Sequence, residues 1–276
     1  MNPVNNQVIV LVGSGTIGLA IVWHIGMGRQ ILLADLHEAN AQAAAVALQR
    51  TGYQARATTC NIAERASIQA LARQAQALGS VIGVINAAGV SPSQATPATI
   101  FAVDLCGTAM LLEEFGHVIA AGGAGLVISS QSSFRLGNLS NEDNHALATL
   151  PPEELLALPL VKNTTDSLRA HQISKRGNAL RVAAEAVRWG RRGARVNAIS
   201  PGIVYTPLAL DELNGEHKDF YRRMLAELPA GRGGVPDEIA ALAEHIMGPN
   251  GGYITGSDFL MDGGATAHFF FGEKYE

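Results

Sequence analysis

The chain has 276 residues, 20 Lys and Arg against 24 Asp and Glu, a net charge of −4 and 47% hydrophobic residues. It can bury the core of one large domain, and its mildly acidic balance excludes a basic patch for a nucleic-acid partner. The isolated Cys60 and Cys106 exclude a disulfide framework and a cysteine-built zinc site, and the spacing of the histidines predicts no other metal site.

The N-terminal segment, residues 1–7, is polar and uncharged and leads directly into an apolar run. It lacks the basic and apolar regions of a signal peptide. Elsewhere no apolar run approaches the roughly 20 residues that a membrane span needs. We therefore expect a cytoplasmic protein without a membrane partner.

Short apolar runs alternate with longer segments of helical period along the chain. The predicted strands are Val8–Val12, Ile31–Ala34, Gln54–Thr58, Val81–Ile85, Leu126–Ser129, Arg195–Ile199 and Phe259–Met261. The predicted helices are Ile17–Met27, Ala39–Arg50, Ala66–Leu78, Ala98–Ala121 and Ser174–Arg192. This alternation predicts an α/β fold: a single doubly wound Rossmann-type domain over residues 1–276, with a parallel sheet of about seven strands and helices on both faces.

Two stretches interrupt the alternation. Residues 134–170 form a connection between a strand and a helix that is much longer than usual. Within it, Pro151 and Pro152 precede two glutamates, a pattern typical of a helix start. We therefore expect a structured insertion. Residues 207–234 mix Leu and Met with charges. They fit either a helical lid over a substrate or a plain surface connection.

A glycine-rich loop follows the first strand and opens the first helix. Its residues are Gly13, Ser14, Gly15, Thr16, Ile17 and Gly18. In this context the glycines allow a tight turn, close approach to a pyrophosphate and close packing of helix on strand. The helix N-terminus supplies unpaired N–H groups for phosphates. The loop therefore predicts a dinucleotide site, the alternative being a purely structural turn.

Asp35, at the end of the second strand, indicates which dinucleotide is bound. A carboxylate at this point can accept hydrogen bonds from both adenosine ribose hydroxyls. No Lys or Arg adjoins it to receive a 2′-phosphate. We therefore predict NAD as the cofactor rather than NADP.

Further motifs follow in a characteristic order. They are Asn86, Ala87, Ala88 and Gly89; Ser129 and Ser130; His171 to Lys175; Pro201 and Gly202 with Thr206; and Ile254 to Gly256 leading to Asp262, Gly263 and Gly264. With the glycine loop, they make the chain resemble the short-chain dehydrogenase/reductases over essentially its whole length. The long insertion also resembles that of bacterial 3α-hydroxysteroid dehydrogenase/carbonyl reductases.

The resemblance implies a role for each matching residue. Lys175 would hold the nicotinamide ribose, and Ser130 would hydrogen-bond the substrate oxygen, unless it only caps a turn. The other residues implied at the cofactor are Leu36, Asn61, Ile62, Asn86, Ala87, Ala88, Gly89, Pro201, Gly202, Ile203 and Thr206. The motif of Asn86 to Gly89 also fits a small-residue turn needed for packing.

Three positions depart from the family's pattern. Asn61 stands where the family usually has an Asp facing adenine, and Asp104 where a helix Asn often completes a proton relay. The third is His171, which occupies the place of the family's Tyr, four residues before Lys175 and so on the same helix face. The catalytic set implied by resemblance is thus Ser130, His171, Lys175 and Asp104.

The His171 position leaves two functions open. An imidazole can transfer the proton that accompanies hydride transfer, because its unperturbed pKa is about 6.5, although it reaches roughly 2 Å less far than a phenol. The chain would then be an NAD-dependent oxidoreductase interconverting a secondary alcohol and a carbonyl, with a hydroxysteroid-like or other bulky apolar substrate. Alternatively the acid/base group is lost, naturally or by substitution, and the chain binds dinucleotide without turnover. Tyr205 is a possible substitute for the missing phenol.

The C-terminal segment of His268 to Phe271 concentrates three phenylalanines. Such an apolar tail predicts packing against a second subunit in a homo-oligomer, dimer or tetramer, with packing on its own domain as the alternative.

Overall fold

The computed structural model describes residues 6–207, 209–210 and 218–272. The strands are β1 (Gln7–Val12), β2 (Gln30–Asp35), β3 (Gln54–Thr59), β4 (Ser80–Asn86), β5 (Ala124–Ile128), β6 (Arg195–Pro201) and β7 (Asp258–Met261). They form one parallel sheet of order β3-β2-β1-β4-β5-β6-β7. The predicted fold class, one α/β domain with a seven-stranded parallel sheet, is confirmed.

The helices connect the strands and cover both faces of the sheet. They are α1 (Thr16–Ile25), α2 (Glu38–Gln49), α3 (Arg65–Leu78), α4 (Pro97–Ile100), α5 (Thr108–Val118), α6 (Asn141–Thr149), α7 (Pro159–Lys162), α8 (Ser167–Gly190), α9 (Lys218–Ala226), α10 (Pro236–Met247) and α11 (Ala265–Phe271). Residues from α1, α2 and α10 pack on one face, and residues from α3, α5 and α8 on the other. The nearly continuous apolar runs of β1 and β2 follow from this burial on both faces.

The bounds of the predicted helices differ most from the structure at two of them. The helix expected over Ala98–Ala121 contains a π-helical stretch, Phe101–Gly107, between α4 and α5. The helix expected from Ser174 begins at Ser167, where the Asp166 carboxylate accepts the Arg169 N–H at 2.7 Å and caps the first turn. The spacing of apolar residues, from which both helices were predicted, cannot indicate a π-helical stretch or a first turn made of polar residues.

The long connection between β5 and α8 has secondary structure of its own. It contains a 3₁₀ turn (Gln131–Arg135), α6, a second 3₁₀ turn (Pro152–Ala157) and α7. Leu147 and Leu155 are fully buried in a third apolar cluster, which includes Phe101 and Ile173. These contacts fix the connection against the π-helical stretch and α8.

Some sequence predictions concern residues that the structure describes only in part or not at all. The predicted lid, residues 207–234, is described at residues 207, 209–210 and 218–234 and includes α9. Residues 1–5, where we predict no signal peptide, lie outside the described residues. Within the described ranges, no helix combines the length and apolarity needed to cross a membrane.

Candidate active site

A cleft of about 840 Å³ opens at the carboxyl ends of the central strands. Strand order reverses between β1 and β4, and such a switch point is where parallel α/β sheets bind ligands. Eleven of the sequence-predicted site residues line the cleft: Ile17, Ala87, Ala88, Gly89, Ser130, His171, Lys175, Pro201, Gly202, Ile203 and Thr206. The structure thus brings together residues from five separate segments.

Asp104 is the buried centre of the charged part of this site. Its side chain is 0% exposed, and its Oδ2 lies 3.3 Å from Nδ1 of His171 and 3.7 Å from Nζ of Lys175. Its Oδ1 accepts the Val90 N–H at 2.9 Å. The π-helical stretch that carries Asp104 is a geometry often found at functional sites. One carboxylate therefore faces both His171 and Lys175 of α8.

The charge of Asp104 is maintained despite its burial. Burial alone would raise the pKa of this carboxyl, but Lys175, and after it His171, outweigh the burial and hold the pKa below its usual value. The Lys175 ammonium, whose side chain is 8% exposed, also donates to the Ile128 carbonyl at 3.3 Å. Asp104 and Lys175 thus form a buried ion pair beneath the cleft.

His171 presents the two ends of its ring to different surroundings. Nδ1 is buried and faces Asp104 at ion-pair distance, although the contact does not meet hydrogen-bond angles. The side chain as a whole is 14% exposed and lines the cleft. Nε2, at the opposite end of the ring, is therefore the nitrogen available for proton exchange with a bound molecule.

The two serines at the end of β5 have different contacts. The Ser129 hydroxyl donates to the Lys175 carbonyl at 3.0 Å and ties β5 to α8. The Ser130 oxygen accepts the Ser132 N–H at 3.2 Å and caps the 3₁₀ turn. Capping uses only the acceptor capacity of that hydroxyl. Ser130 can therefore cap the turn and still donate its proton into the cleft.

The glycine loop is tightly turned, and open space adjoins Gly15. Gly13 has a φ of +88°, and a Cβ there would lie 2.4 Å from the Ala88 nitrogen, so only glycine fits. A Cβ on Gly15 would meet no atom within 4 Å, and no side chain caps α1 at this residue. The Ser14 hydroxyl is buried without a hydrogen-bond partner. Open space, uncapped N–H groups and an unpartnered hydroxyl all fit a dinucleotide phosphate.

Asp35 holds the glycine loop in position. Its Oδ2 accepts the Ser14 N–H at 2.9 Å, and its Oδ1 accepts the His37 N–H at 3.0 Å. Within the described ranges, no Lys or Arg forms an ion pair with this carboxylate. The end of β2 is thus negatively charged.

The remaining residues predicted at the cofactor have mainly local contacts. Asn86 is buried and donates to the Thr108 hydroxyl at 3.0 Å, and its own oxygen accepts the Ala88 N–H. Asn61 donates to Glu64 and accepts the Ala63 N–H. Ile62 is 5% exposed, whereas Leu36 is 60% exposed. Asn86 and Ile62 can therefore shape the site from beneath, and Leu36 is open to a ligand.

Tyr205, considered above as a substitute acid/base group, is not placed in the cleft. Its hydroxyl accepts the Gly233 N–H at 3.2 Å, and the residue is not among those that line the cleft. The sequence analysis missed several lining residues: Gln131, Ser132, Arg135, Met224 and Phe269. For Arg135 the one available signal was its place in the loop directly after Ser130.

Comparison with known proteins identifies the family of the chain. Residues 6–137 match the family described as short chain dehydrogenase, and residues 161–266 match the family described as Enoyl-(Acyl carrier protein) reductase. The chain is 36% identical to a short-chain dehydrogenase/reductase of Alternaria brassicicola, over 96% of this chain and 97% of that protein. The chain therefore belongs to the short-chain dehydrogenase/reductase family, whose members are oxidoreductases that bind a nicotinamide dinucleotide.

Solved structures share the fold at lower identity. The 3α-hydroxysteroid dehydrogenase of Pseudomonas sp. B-0831, complexed with NADH, is 21% identical with a TM-score of 0.77, over 97% of this chain and 100% of that one. A blue fluorescent protein from a metagenomic library, in complex with NADPH, is 23% identical with a TM-score of 0.74, over 95% and 98% of the two chains. At these identities the likeness concerns the fold alone.

Proposed function

We propose that this protein is an NAD-dependent oxidoreductase that interconverts a secondary alcohol and a carbonyl compound, with His171 as its acid/base group. The observation that carries the proposal is the contact of Asp104 with both His171 and Lys175 under a cleft that Ser130 also lines. When bound, the nicotinamide supplies or accepts the hydride. The protein must hold the substrate oxygen and move one proton.

His171 would move that proton through Nε2. In the direction of alcohol oxidation, Nε2 accepts the hydroxyl proton while Ser130 donates a hydrogen bond to the same oxygen. The ring then becomes an imidazolium, which the Asp104 carboxylate 3.3 Å from Nδ1 stabilises. In reduction the proton returns along the same path. Asp104 thus acts as a positioning and charge-balancing residue for His171.

Lys175 and the loops above it would hold the cofactor. The Lys175 ammonium lies at the base of the cleft, where it can donate to the nicotinamide ribose while Asp104 balances its charge. Ile203 and Thr206, on the segment after β6, line the side of the cleft where the nicotinamide would lie. Gly15 and the N-terminus of α1 would bind the diphosphate.

The preference for NAD over NADP rests on Asp35. Its carboxylate would accept the ribose hydroxyls and repel a 2′-phosphate, and within the described ranges no basic side chain pairs with it. Titration of the protein with NADH and NADPH, followed by nucleotide fluorescence, tests this preference. Equal or tighter binding of NADPH would overturn it.

The role of His171 is tested by turnover. Secondary alcohols are screened for NAD reduction with the native chain, His171→Ala, His171→Tyr and, as a matched control, the exposed His117→Ala. We expect the His171→Ala variant to lose about 100-fold or more in kcat while NADH binding is retained, and the control to match the native chain. Nucleotide binding without turnover in the native chain, with activity gained in His171→Tyr, would instead identify a dinucleotide-binding protein without catalysis.

A further inference from the structure

One half-buried cation in the cleft, Arg135, is not used by the proposed chemistry. It ends the 3₁₀ turn that begins directly after Ser130 and lines the same cleft. The turn is anchored at Ser130 by a capping hydrogen bond from Ser132. The guanidinium is therefore attached through a short, structured segment to the residue that would hold the substrate oxygen.

The partners of Arg135 are neutral. One terminal nitrogen donates to Oε1 of Gln131 at 3.3 Å, and the other approaches the sulfur of Met224 at 3.7 Å. The face of the Phe269 ring lies 5.2 Å from the guanidinium carbon, and Nε is buried without a partner. Three chain segments thus converge on one cation without bringing a carboxylate to it.

Two other arginines of the chain have different sets of partners. Arg65 contacts three carboxylates, of Glu113, Glu114 and Glu153. Arg195 donates to several backbone carbonyls at the end of α10, among them that of Ile246. Arg135 has no carboxylate within 4 Å in the described ranges.

The carboxylate that acts on Arg135, that of Asp262, does not contact it directly. Burial lowers the pKa of this guanidinium, although the more distant Asp262 opposes that effect. Both oxygens of Asp262 already accept backbone N–H groups, those of Gly264 and Thr266. The other cation in the cleft, Lys175, has Asp104 as its partner. A positive charge beside the apolar surfaces of Met224 and Phe269 attracts an anion more strongly than one in open water.

We propose that Arg135 recognises a carboxylate on the substrate, so that the protein acts on keto acids or hydroxy acids whose reacting oxygen lies at Ser130 and His171. A guanidinium binds a carboxylate through two parallel hydrogen bonds, and a single cation matches its single charge better than it matches a phosphate dianion. The apolar walls would accept the carbon chain between the two ends. The proposal rests on the proposed function, because Arg135 lines the same cleft as Ser130 and His171.

The test uses two matched sets of probes. Methyl ketones that carry a terminal carboxylate, from 4-oxopentanoate to 8-oxononanoate, are compared with their methyl esters as substrates for NADH oxidation. The proteins are the native chain, Arg135→Met, Arg135→Lys and, as a control, the exposed Arg169→Met. Thermal unfolding verifies that each variant is folded.

For at least one chain length we expect kcat/KM of the native chain to be about 10- to 100-fold higher for the acid than for its ester. Arg135→Met should abolish that preference by lowering the value for the acid only, and Arg135→Lys should keep part of it. NADH affinity should not change in either variant. Esters that match or exceed the acids at every length, or equal losses for acid and ester in Arg135→Met, would overturn the proposal.

A binding measurement separates this proposal from the catalytic one. The acids and esters are titrated calorimetrically into the native chain and Arg135→Met, with and without NADH. Acid binding that depends on Arg135 supports the carboxylate site even if no ketone is reduced, in which case only the catalytic proposal fails. If no acid binds better than its ester, the carboxylate site is refuted whatever the turnover.

Discussion

The substitution Asp104→Asn isolates the charge at the centre of the site. The side chain is 0% exposed, and asparagine has nearly the same shape. An asparagine oxygen can still accept the Val90 N–H that Oδ1 of Asp104 accepts at 2.9 Å. The variant therefore keeps the packing and this backbone hydrogen bond, and it removes only the negative charge that faces Lys175 and His171.

The size of the effect follows from the distances. Two unit charges about 4 Å apart attract by about 4 kcal/mol at an effective dielectric constant of about 20. Lys175 lies 3.7 Å away and would remain almost buried without its partner. Removing one member of a buried pair usually costs about 3–5 kcal/mol, and relief of the carboxylate's own burial offsets part of this. We expect the free energy of unfolding to fall by about 3 kcal/mol.

The dependence on pH has a definite sign. The pKa of Asp104 is lowered in the folded chain, whereas an unfolded Asp titrates near about 3.9. The stabilisation from its charge is thus present above that pH and is lost as the pH falls through the lower, folded-state pKa. The gap in stability between the native chain and Asp104→Asn should persist from pH 8 to pH 5 and narrow below about pH 4.

Urea unfolding followed by circular dichroism measures this gap at each pH. The matched control is Asp166→Asn, because Asp166 is exposed and asparagine caps a helix equally well, so its stability should change by less than about 0.5 kcal/mol. A loss below about 1 kcal/mol for Asp104→Asn at pH 7, or a gap that widens on acidification, would refute the assignment of Asp104 as the buried counter-charge.

The further predictions concern the cofactor loop, Asp35 and the surface residue His24. Gly13→Ala should lose at least about 2 kcal/mol of stability, because the φ of Gly13 is +88° and the added Cβ would clash with the backbone. Gly15→Ala should fold normally but bind NADH about 10-fold or more weakly. Native NADH affinity in Gly15→Ala would contradict the loop's role in binding the cofactor. Asp35→Ser should raise the ratio of NADPH to NADH affinity about 10-fold, and an unchanged ratio would exclude Asp35 as the selector. The pKa of His24 is raised by hydrogen bonds to Asp237 and then to Glu244, both on α10. The contribution of His24 to stability, about 0.5 kcal/mol, is therefore present below pH 6.5 and is lost as the pH rises through the folded-state pKa. The gap in Tm between native chain and His24→Gln should therefore close between pH 5.5 and pH 9, and a constant gap would contradict the ion-pair assignment.

Some of the site was visible in the sequence because its causes are local. Gly13 precedes a helix and follows a buried strand, and the tight turn between them requires glycine whatever the rest of the chain does. His171 and Lys175 share a helix face by their spacing alone. Even the start of α8 could have been found, since Asp166 is a good capping residue three positions before Arg169.

Other features depended on contacts between distant segments. No apolar periodicity in the sequence indicates the π-helical stretch that carries Asp104. Asp104 faces His171 because of the way that stretch packs against α8. Arg135 meets Met224 and Phe269 only because α9 and α11 return to the cleft. None of these pairs has a local spacing that a sequence pattern could report.

The order of residues along the chain was sufficient to predict the parallel sheet, the glycine loop and the polar residues on α8. A strand that is buried on both faces is a continuous apolar run, and a tight turn requires glycine at a particular position, so both features can be recognised from neighbouring residues. The pairing of charges, in contrast, could be known only from the folded chain. That pairing depends on the three-dimensional path that brings Asp104 beneath His171 and leaves Arg135 with neutral partners.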